Sequence, residues 1–167
     1  MSSAGQGTRL VSSMEGPDGA PVLILANPIG TTRAIWDAQA RVLRQDHRLL
    51  RFELRGHGPP GAQSDAPPGP YSIAELGTDP AGYAGCAAAI AAMDLRPALG
   101  AIKAPTLVIA GAEDQAAPPW QGAMTASGIT DARLRVIRGT SHLAPYQTPG
   151  PVTAAILSHL GVPEKLR

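Results

Sequence analysis

Two unbroken apolar runs, Pro21-Val-Leu-Ile-Leu-Ala26 and Pro105-Thr-Leu-Val-Ile-Ala-Gly111, limit what this chain can fold into more than any other feature. Neither alternates with polar residues, so each is expected as a strand covered on both faces, the pattern of a parallel sheet between helices. The residues behind each run agree. After the loop Asn27-Pro-Ile-Gly-Thr-Thr32, the residues Ile35, Trp36, Ala40, Val42 and Leu43 recur at helical spacing, with Thr31 or Thr32 placed to cap the helix. His47 to Leu54 then gives a second strand. Behind the other run come a helix over Pro119 to Ala126, a strand over Arg133 to Ile137 and a closing amphipathic helix over Gly150 to Leu160. Two β/α alternations predict an α/β fold whose sheet is mostly parallel, with helices on both faces.

Between these halves the pattern is weaker. Thr8 to Glu15 has β-forming character, and Gly16-Pro-Asp-Gly19 is a turn. Pro59 to Pro70 is too rich in proline and glycine for regular structure. Tyr71 to Leu76 has a short helical pattern opened by Ser72, with Glu75 three residues on as in a capping box. A helix over Ala81 to Met93 is built largely of alanine, which favours the helix but buries little surface per residue. Asp94 to Ala104 is a connector. Glycine (19) and proline (17) are frequent enough to require many sharp turns between short elements. A chain of 167 residues is expected to form one domain, 1–167.

Charge excludes several partners. Lys and Arg number 14 against 13 Asp and Glu, a formal charge of +1, so there is no footprint for a nucleic-acid backbone or an acidic membrane surface. No apolar stretch is long enough to span a bilayer, and the start lacks the apolar core of a leader peptide. With one cysteine and no intramolecular disulfide, the expectation is a cytoplasmic protein with neither nucleic-acid nor membrane partner.

Three features at expected strand ends could carry chemistry, since open α/β sheets place their sites there. In Asn27-Pro-Ile-Gly-Thr-Thr32, backbone N–H groups could face a developing oxyanion; Pro28 has none, so Ile29 or Gly30 must donate. The same segment also suits an ordinary βα turn. Asp114 and His142 lie beyond adjacent strands, which would bring a carboxylate to an imidazole and orient a general base. Glu113 is a competing carboxylate, and loop Asp and His residues often serve only structure. Arg55-Gly-His-Gly-Pro-Pro-Gly61 has the spacing of a dinucleotide fingerprint, but its prolines remove N–H donors and no helix comes after it to hold phosphate. His47, His57 and His159 match no metal-ligand spacing, so neither a metal nor a cofactor is expected.

Taken in order, Asn-Pro-Ile-Gly-Thr-Thr-Arg-Ala-Ile-Trp-Asp, Phe-Glu-Leu-Arg-Gly-His-Gly, Pro-Tyr-Ser-Ile-Ala-Glu-Leu, Tyr-Ala-Gly-Cys, Met-Asp-Leu-Arg, Ala-Pro-Thr-Leu-Val-Ile-Ala-Gly-Ala-Glu-Asp and Ser-His-Leu-Ala resemble the 3-oxoadipate enol-lactonases. The resemblance covers nearly the whole chain. It implies an α/β-hydrolase fold and cofactor-free hydrolysis of a small-molecule lactone or ester in aromatic degradation. It also makes Asp114 the triad acid, His142 the triad base and Ile29 an oxyanion-hole donor, with Gly30 beside it. Arg33 is assigned by position to a substrate carboxylate, and Trp36 to the substrate side.

The departures from that family are specific. Members carry a Gly-x-Ser-x-Gly nucleophile elbow and then a helical cap, whereas here Leu76-Gly77 runs directly into Thr78-Asp79-Pro80, and no Gly-x-Ser-x-Gly occurs in the chain. Roughly a hundred residues are missing at that junction. Residues 1–77 then form an N-terminal β/α half, 78–104 a cap remnant with its connector, and 105–167 a C-terminal half. Ser64, Ser72, Ser127, Ser141 and Cys86 are the residues that could replace the nucleophile, and none sits on a strand-to-helix elbow. Glu53 stands where the family has Asp, and Pro28 where it has Ser. Loss of two central strands would open a gap of roughly 14 Å in the sheet. Direct closure of the two edges into one smaller sheet is expected, with self-association through exposed edges as the other outcome. The implied protein is an enol-lactonase-like hydrolase that is inactive or nearly so. The alternatives are a non-catalytic binding remnant of the fold, or the product of a gene deletion or faulty assembly.

Overall fold

A computed structural model describes residues 11–28, 30–53 and 80–162, without the side chains of residues 80–83 and 86. The expected Arg55-Gly-His-Gly segment, the Pro59 to Pro70 loop, the Tyr71 to Leu76 helix, the Leu76-Gly77 junction and Ile29 lie outside the described residues. The described residues fall into two compact units, the first within Met1–Ile35 and Arg44–Ala91, the second within Trp36–Leu43 and Ala92–Arg167.

The first unit is built on β1 (Ser12–Glu15), β2 (Val22–Leu25) and β3 (Arg48–Phe52), in the order β1-β3-β2. β2 runs parallel to β3 with Ile24 opposite Leu50, and β1 runs antiparallel to β3 with Met14 opposite the same leucine. Leu49 is fully buried at the centre of this sheet. The β1–β2 turn needs glycine at Gly16: φ is +98°, and a Cβ there would lie 2.1 Å from the His47 carbonyl oxygen. Arg51 Nε donates to Glu15 Oε1 at 2.9 Å across β1 and β3. Hydrogen bonding to that guanidinium holds the Glu15 carboxyl below its ordinary range.

One strand expectation is corrected here. The Pro21 to Ala26 run is not covered on both faces: Val22 and Ile24 are 56% and 63% exposed, while Leu25 is buried and Leu23 half-buried. A continuous apolar run is also consistent with a strand covered on one face, because composition does not reveal how many layers pack against it. α2 (Pro80–Ala92) follows the sequence expectation in extent, and its Ile90 is exposed.

The second unit holds the parallel pair β4 (Thr106–Gly111) and β5 (Ala132–Ile137), with Val108 opposite Leu134 and Ile109 opposite Arg135. Side chains alternate across the pair, so Val108, Ala110 and Leu134 share one face and Ile109 and Ile137 the other. Onto the first face packs α3 (Pro119–Ser127). A Cβ on its Gly122 would come 3.3 Å from Leu134 and 3.4 Å from Ala110, so the small residue allows close approach. Against the other face pack α4 (Ala144–Gln147) and α5 (Pro149–His159), whose Ala144, Val152 and Ile156 cluster with Ile137 and Ile109. Helices thus cover both faces of a parallel ladder, as the β/α alternation predicts.

α1 (Asp37–Leu43) packs on α4 and α5. Its Gln39 is fully buried, and Gln39 Nε2 donates to the carbonyls of Pro145 at 3.0 Å and Pro149 at 3.4 Å. The 3-10 turn Arg33–Trp36 precedes α1, and Thr32 Oγ1 accepts from the Ala34 N–H at 3.3 Å. Thr32 is therefore the cap, since Thr31 Oγ1 donates instead to the Pro28 carbonyl at 2.8 Å. A second 3-10 helix, Arg96–Ala101, occupies part of the expected connector.

Closure into one sheet does not occur among the described residues, where the strands form a three-stranded and a two-stranded sheet. Local patterning fixes which segments become strands, but ladder partners are set by non-local hydrogen bonding.

Candidate active site

β4 and β5 run in the same direction, so their ends deliver the adjoining loops side by side. Ala112 N–H donates to the Ile137 carbonyl at 2.8 Å and Glu113 N–H to the Thr140 carbonyl at 3.0 Å, extending the ladder past the strands. Gly111 allows this crossing, because a Cβ there would lie 2.3 Å from the Ser141 carbonyl oxygen and 2.6 Å from that of Thr140. Gly139, with φ +74°, turns the chain out of β5 towards it.

The result is the Asp114–His142 pair that the strand-end positions predict: His142 Nδ1 lies 3.0 Å from Asp114 Oδ2. The other oxygen, Asp114 Oδ1, accepts the N–H groups of Ala116 and Ala117, both at 2.9 Å. Burial pushes the Asp114 carboxyl up, but the Ala117 N–H, His142 and the Ala116 N–H together outweigh it and hold the group below its ordinary range. A carboxylate only accepts, so His142 Nδ1 carries the proton and, in the neutral ring, Nε2 keeps its lone pair. The Asp114 side chain is 7% exposed and that of His142 is 53% exposed, so the acid is held inside and the imidazole faces outward.

Glu113, the competing carboxylate, is accounted for elsewhere. Its Oε1 accepts the Gly139 N–H at 3.1 Å, which fastens the turn after β5. Residues not singled out from the sequence do the remaining positioning. Gln147 Oε1 accepts from Thr140 Oγ1 at 3.1 Å, Ser141 N–H at 2.9 Å and Ser141 Oγ at 3.1 Å, pinning the segment before His142 to α4. Only the glycine at the end of an apolar strand hinted at this close crossing.

Among the described residues no serine hydroxyl is hydrogen-bonded to His142. Ser141 is held by Gln147, and Ser127 Oγ donates to the Met124 carbonyl at 2.8 Å. Ser64 and Ser72 lie outside the described residues, and so does the Cys86 side chain. No three His, Cys, Asp or Glu side chains among the described residues group as metal ligands.

The remaining sequence candidates lie in the first unit, apart from Trp36 in the second. Thr31 N–H donates to the Pro28 carbonyl at 3.2 Å, and Gly30 has φ +79°, which makes Pro28 to Thr31 a turn with glycine where a left-handed residue is required. Asn27 is buried, and its Nδ2 donates to the Thr31 carbonyl at 2.5 Å. Ile29, the expected donor, is outside the described residues. Arg33 is engaged by buried Glu53: its N–H donates to Glu53 Oε2 at 3.0 Å, and its Nε lies 3.5 Å from Oε1. Trp36 is half-buried at the end of the 3-10 turn.

No family model matches the chain. It is 34% identical over 53 residues to 3-oxoadipate enol-lactonase 1 of Acinetobacter baylyi, a match covering 32% of this chain and 20% of that protein. Over 59 residues it is 37% identical to enol-lactonase 2 of the same organism, covering 35% and 21%. The matched segment thus spans about a fifth of these relatives' length. A solved hydrolase from Pseudomonas aeruginosa has a TM-score of 0.79 at 25% identity, over 91% of this chain and 94% of that one. The enol-lactonase of Burkholderia xenovorans comes next at 0.78 and 24%, over 91% and 96%. An esterase from Thermogutta terrifontis gives 0.76 at 21%, over 94% and 93%.

The chain has the fold of the α/β-hydrolases. Over about a third of its length the chain is similar to enol-lactonases. No helix among the described residues is long and apolar enough to cross a membrane.

Proposed function

We propose that this chain is a lactone or ester hydrolase by descent that keeps the acid and base of a triad without its nucleophile, and so turns over its substrate barely or not at all. One observation carries the reading: His142 is oriented by Asp114 at 3.0 Å, yet no described serine reaches its ring and the sequence holds no Gly-x-Ser-x-Gly. The pair is built as in a working enzyme. Asp114 fixes the tautomer, and Nε2 is left to take a proton from an attacking hydroxyl. Without that hydroxyl the ring can act only on water, and loss of a triad nucleophile costs ~10⁴ to 10⁶ in rate.

Similarity to enol-lactonases suggests 3-oxoadipate enol-lactone as the ligand of the intact fold, with Ile29 and Gly30 as oxyanion donors and no cofactor. Arg33 and Trp36 are the residues proposed on the substrate side. Arg33 reaches a substrate carboxylate only through guanidinium nitrogens other than the Nε that faces Glu53.

The test is hydrolysis of an activated aryl ester and of an enol-lactone by the purified chain and by His142→Ala. Matching slow rates support a disabled hydrolase. Turnover that disappears in His142→Ala would restore a catalytic role and overturn the proposal.

A further inference from the structure

We infer that Gln39 is a positioning residue for His142: it fixes α4 from outside, and α4 holds the main chain on both sides of the imidazole. His142 stands just ahead of α4. On one side of it, the Leu143 carbonyl accepts the N–H groups of Tyr146 and Gln147, both at 2.9 Å. On the other, Gln147 Oε1 accepts from Ser141 N–H at 2.9 Å and from Thr140 Oγ1 at 3.1 Å. A slide or turn of α4 is therefore carried to the ring, whose Nδ1 must meet Asp114 Oδ2 at 3.0 Å.

The bonds of α4 itself anchor it weakly. It is one turn long, and its buried Ala144 gives the core only a methyl group. Within a helix the Pro145 carbonyl would be closed by the N–H three or four residues on. Thr148 N–H is taken instead by the Ala144 carbonyl at 3.0 Å, and Pro149 has no N–H. Gln39, 106 residues earlier in the chain, supplies the missing donor. Its Nε2 has one hydrogen for the Pro145 carbonyl at 3.0 Å and one for the Pro149 carbonyl at 3.4 Å, which clamps the chain before and after Thr148.

Burial of the amide favours positioning over packing. A fully buried polar side chain is costly unless its bonds are made, and an aliphatic one of the same length would fill the space at no such cost. The route from Gln39 through Pro145 and Gln147 to Ser141 and His142 lies wholly within the second unit. Its importance rests on reading His142 as the base of the proposed hydrolase remnant. The test, however, reads the ring and not turnover, so the two fail separately.

Proton–nitrogen correlation NMR of the His142 ring in the full chain, at pH ~8 where free imidazole is neutral, reports which nitrogen carries the proton. In the unaltered chain Nδ1–H should exceed Nε2–H about tenfold, because a hydrogen bond to a carboxylate favours it. Gln39→Met keeps the length without the donor and is expected to lower that ratio at least ~3-fold. Leu99→Ala, which loosens the contact with Gly128 beyond α3, should destabilise the unit yet leave the ratio unchanged. Should Gln39→Met fail to fold, native-state hydrogen exchange in the unaltered chain decides: Tyr146 N–H, Gln147 N–H and the Gln39 amide must be released by one opening, with protection equal within ~3-fold. An unchanged ratio in Gln39→Met, an equal fall in Leu99→Ala, separate openings of α4 and Gln39, or no excess of Nδ1–H in the unaltered chain would each overturn the inference. Ester turnover, measured separately, bears on the proposed function alone.

Discussion

Gly111 and Ser141 cross so closely that a Cβ on the glycine would lie 2.3 Å from the serine carbonyl oxygen. That crossing brings the two strand-end loops together and seats His142 against Asp114. Gly111→Ala must push the Thr140–Ser141 main chain aside. A stability loss of ~1–3 kcal/mol or more is expected from such overpacking. The His142 imidazole resonances should shift towards those of a free histidine. Denaturant unfolding with NMR of the ring protons measures both, and an unchanged ring signal would show that the crossing does not position the pair.

Asp114 should contribute to the acid response of the second unit. Its folded-state pKa is lowered, so the stabilisation it provides is present above the ordinary carboxyl range near ~4 and is lost as pH falls through the folded value. Urea midpoints of the unaltered chain should therefore decline below pH ~4, and Asp114→Asn should flatten that limb while lowering stability at neutral pH. Equal acid limbs in the two proteins would contradict this.

Gln39 ties α1 to the start of α5. Gln39→Leu keeps the bulk but leaves the Pro145 and Pro149 carbonyls without their donor, at an expected cost of ~1–3 kcal/mol. Chemical denaturation gives the value. A neutral result would mean that water replaces the amide.

Gln147 should matter through its oxygen alone. Gln147→Glu retains an acceptor for Thr140 and Ser141, whereas Gln147→Leu strands three donors and is expected to cost ~1–2 kcal/mol more. Thermal unfolding of the two variants side by side checks the order.

Much of this molecule was legible in its residues. Apolar runs marked β2 and β4, helical spacing marked α1, α3 and α5, and Asp114 and His142 stood out because they come after strands that β/α alternation makes parallel neighbours. Other outcomes were not legible locally. Nothing near Thr31 and Thr32 told which would cap the 3-10 turn; that depended on the Pro28 to Thr31 turn claiming one hydroxyl. Likewise, nothing near Glu113 and Asp114 said which carboxylate would meet the imidazole, because the Gly139 turn that occupies Glu113 lies on the next strand.

The sequence by itself determined the α/β class, the strands β2 to β5, the helices α1, α2, α3 and α5, the placing of Asp114 and His142 beyond neighbouring strands and the lack of a Gly-x-Ser-x-Gly motif, because periodicity, turn residues and motif spacing are local properties. Only the tertiary structure decided that the described strands divide into two sheets, that Val22 and Ile24 stay exposed, and that Gly111, Gln147 and two alanine N–H groups hold the pair. Those outcomes depend on ladder partners and close approaches between segments far apart in the chain, which no local pattern encodes.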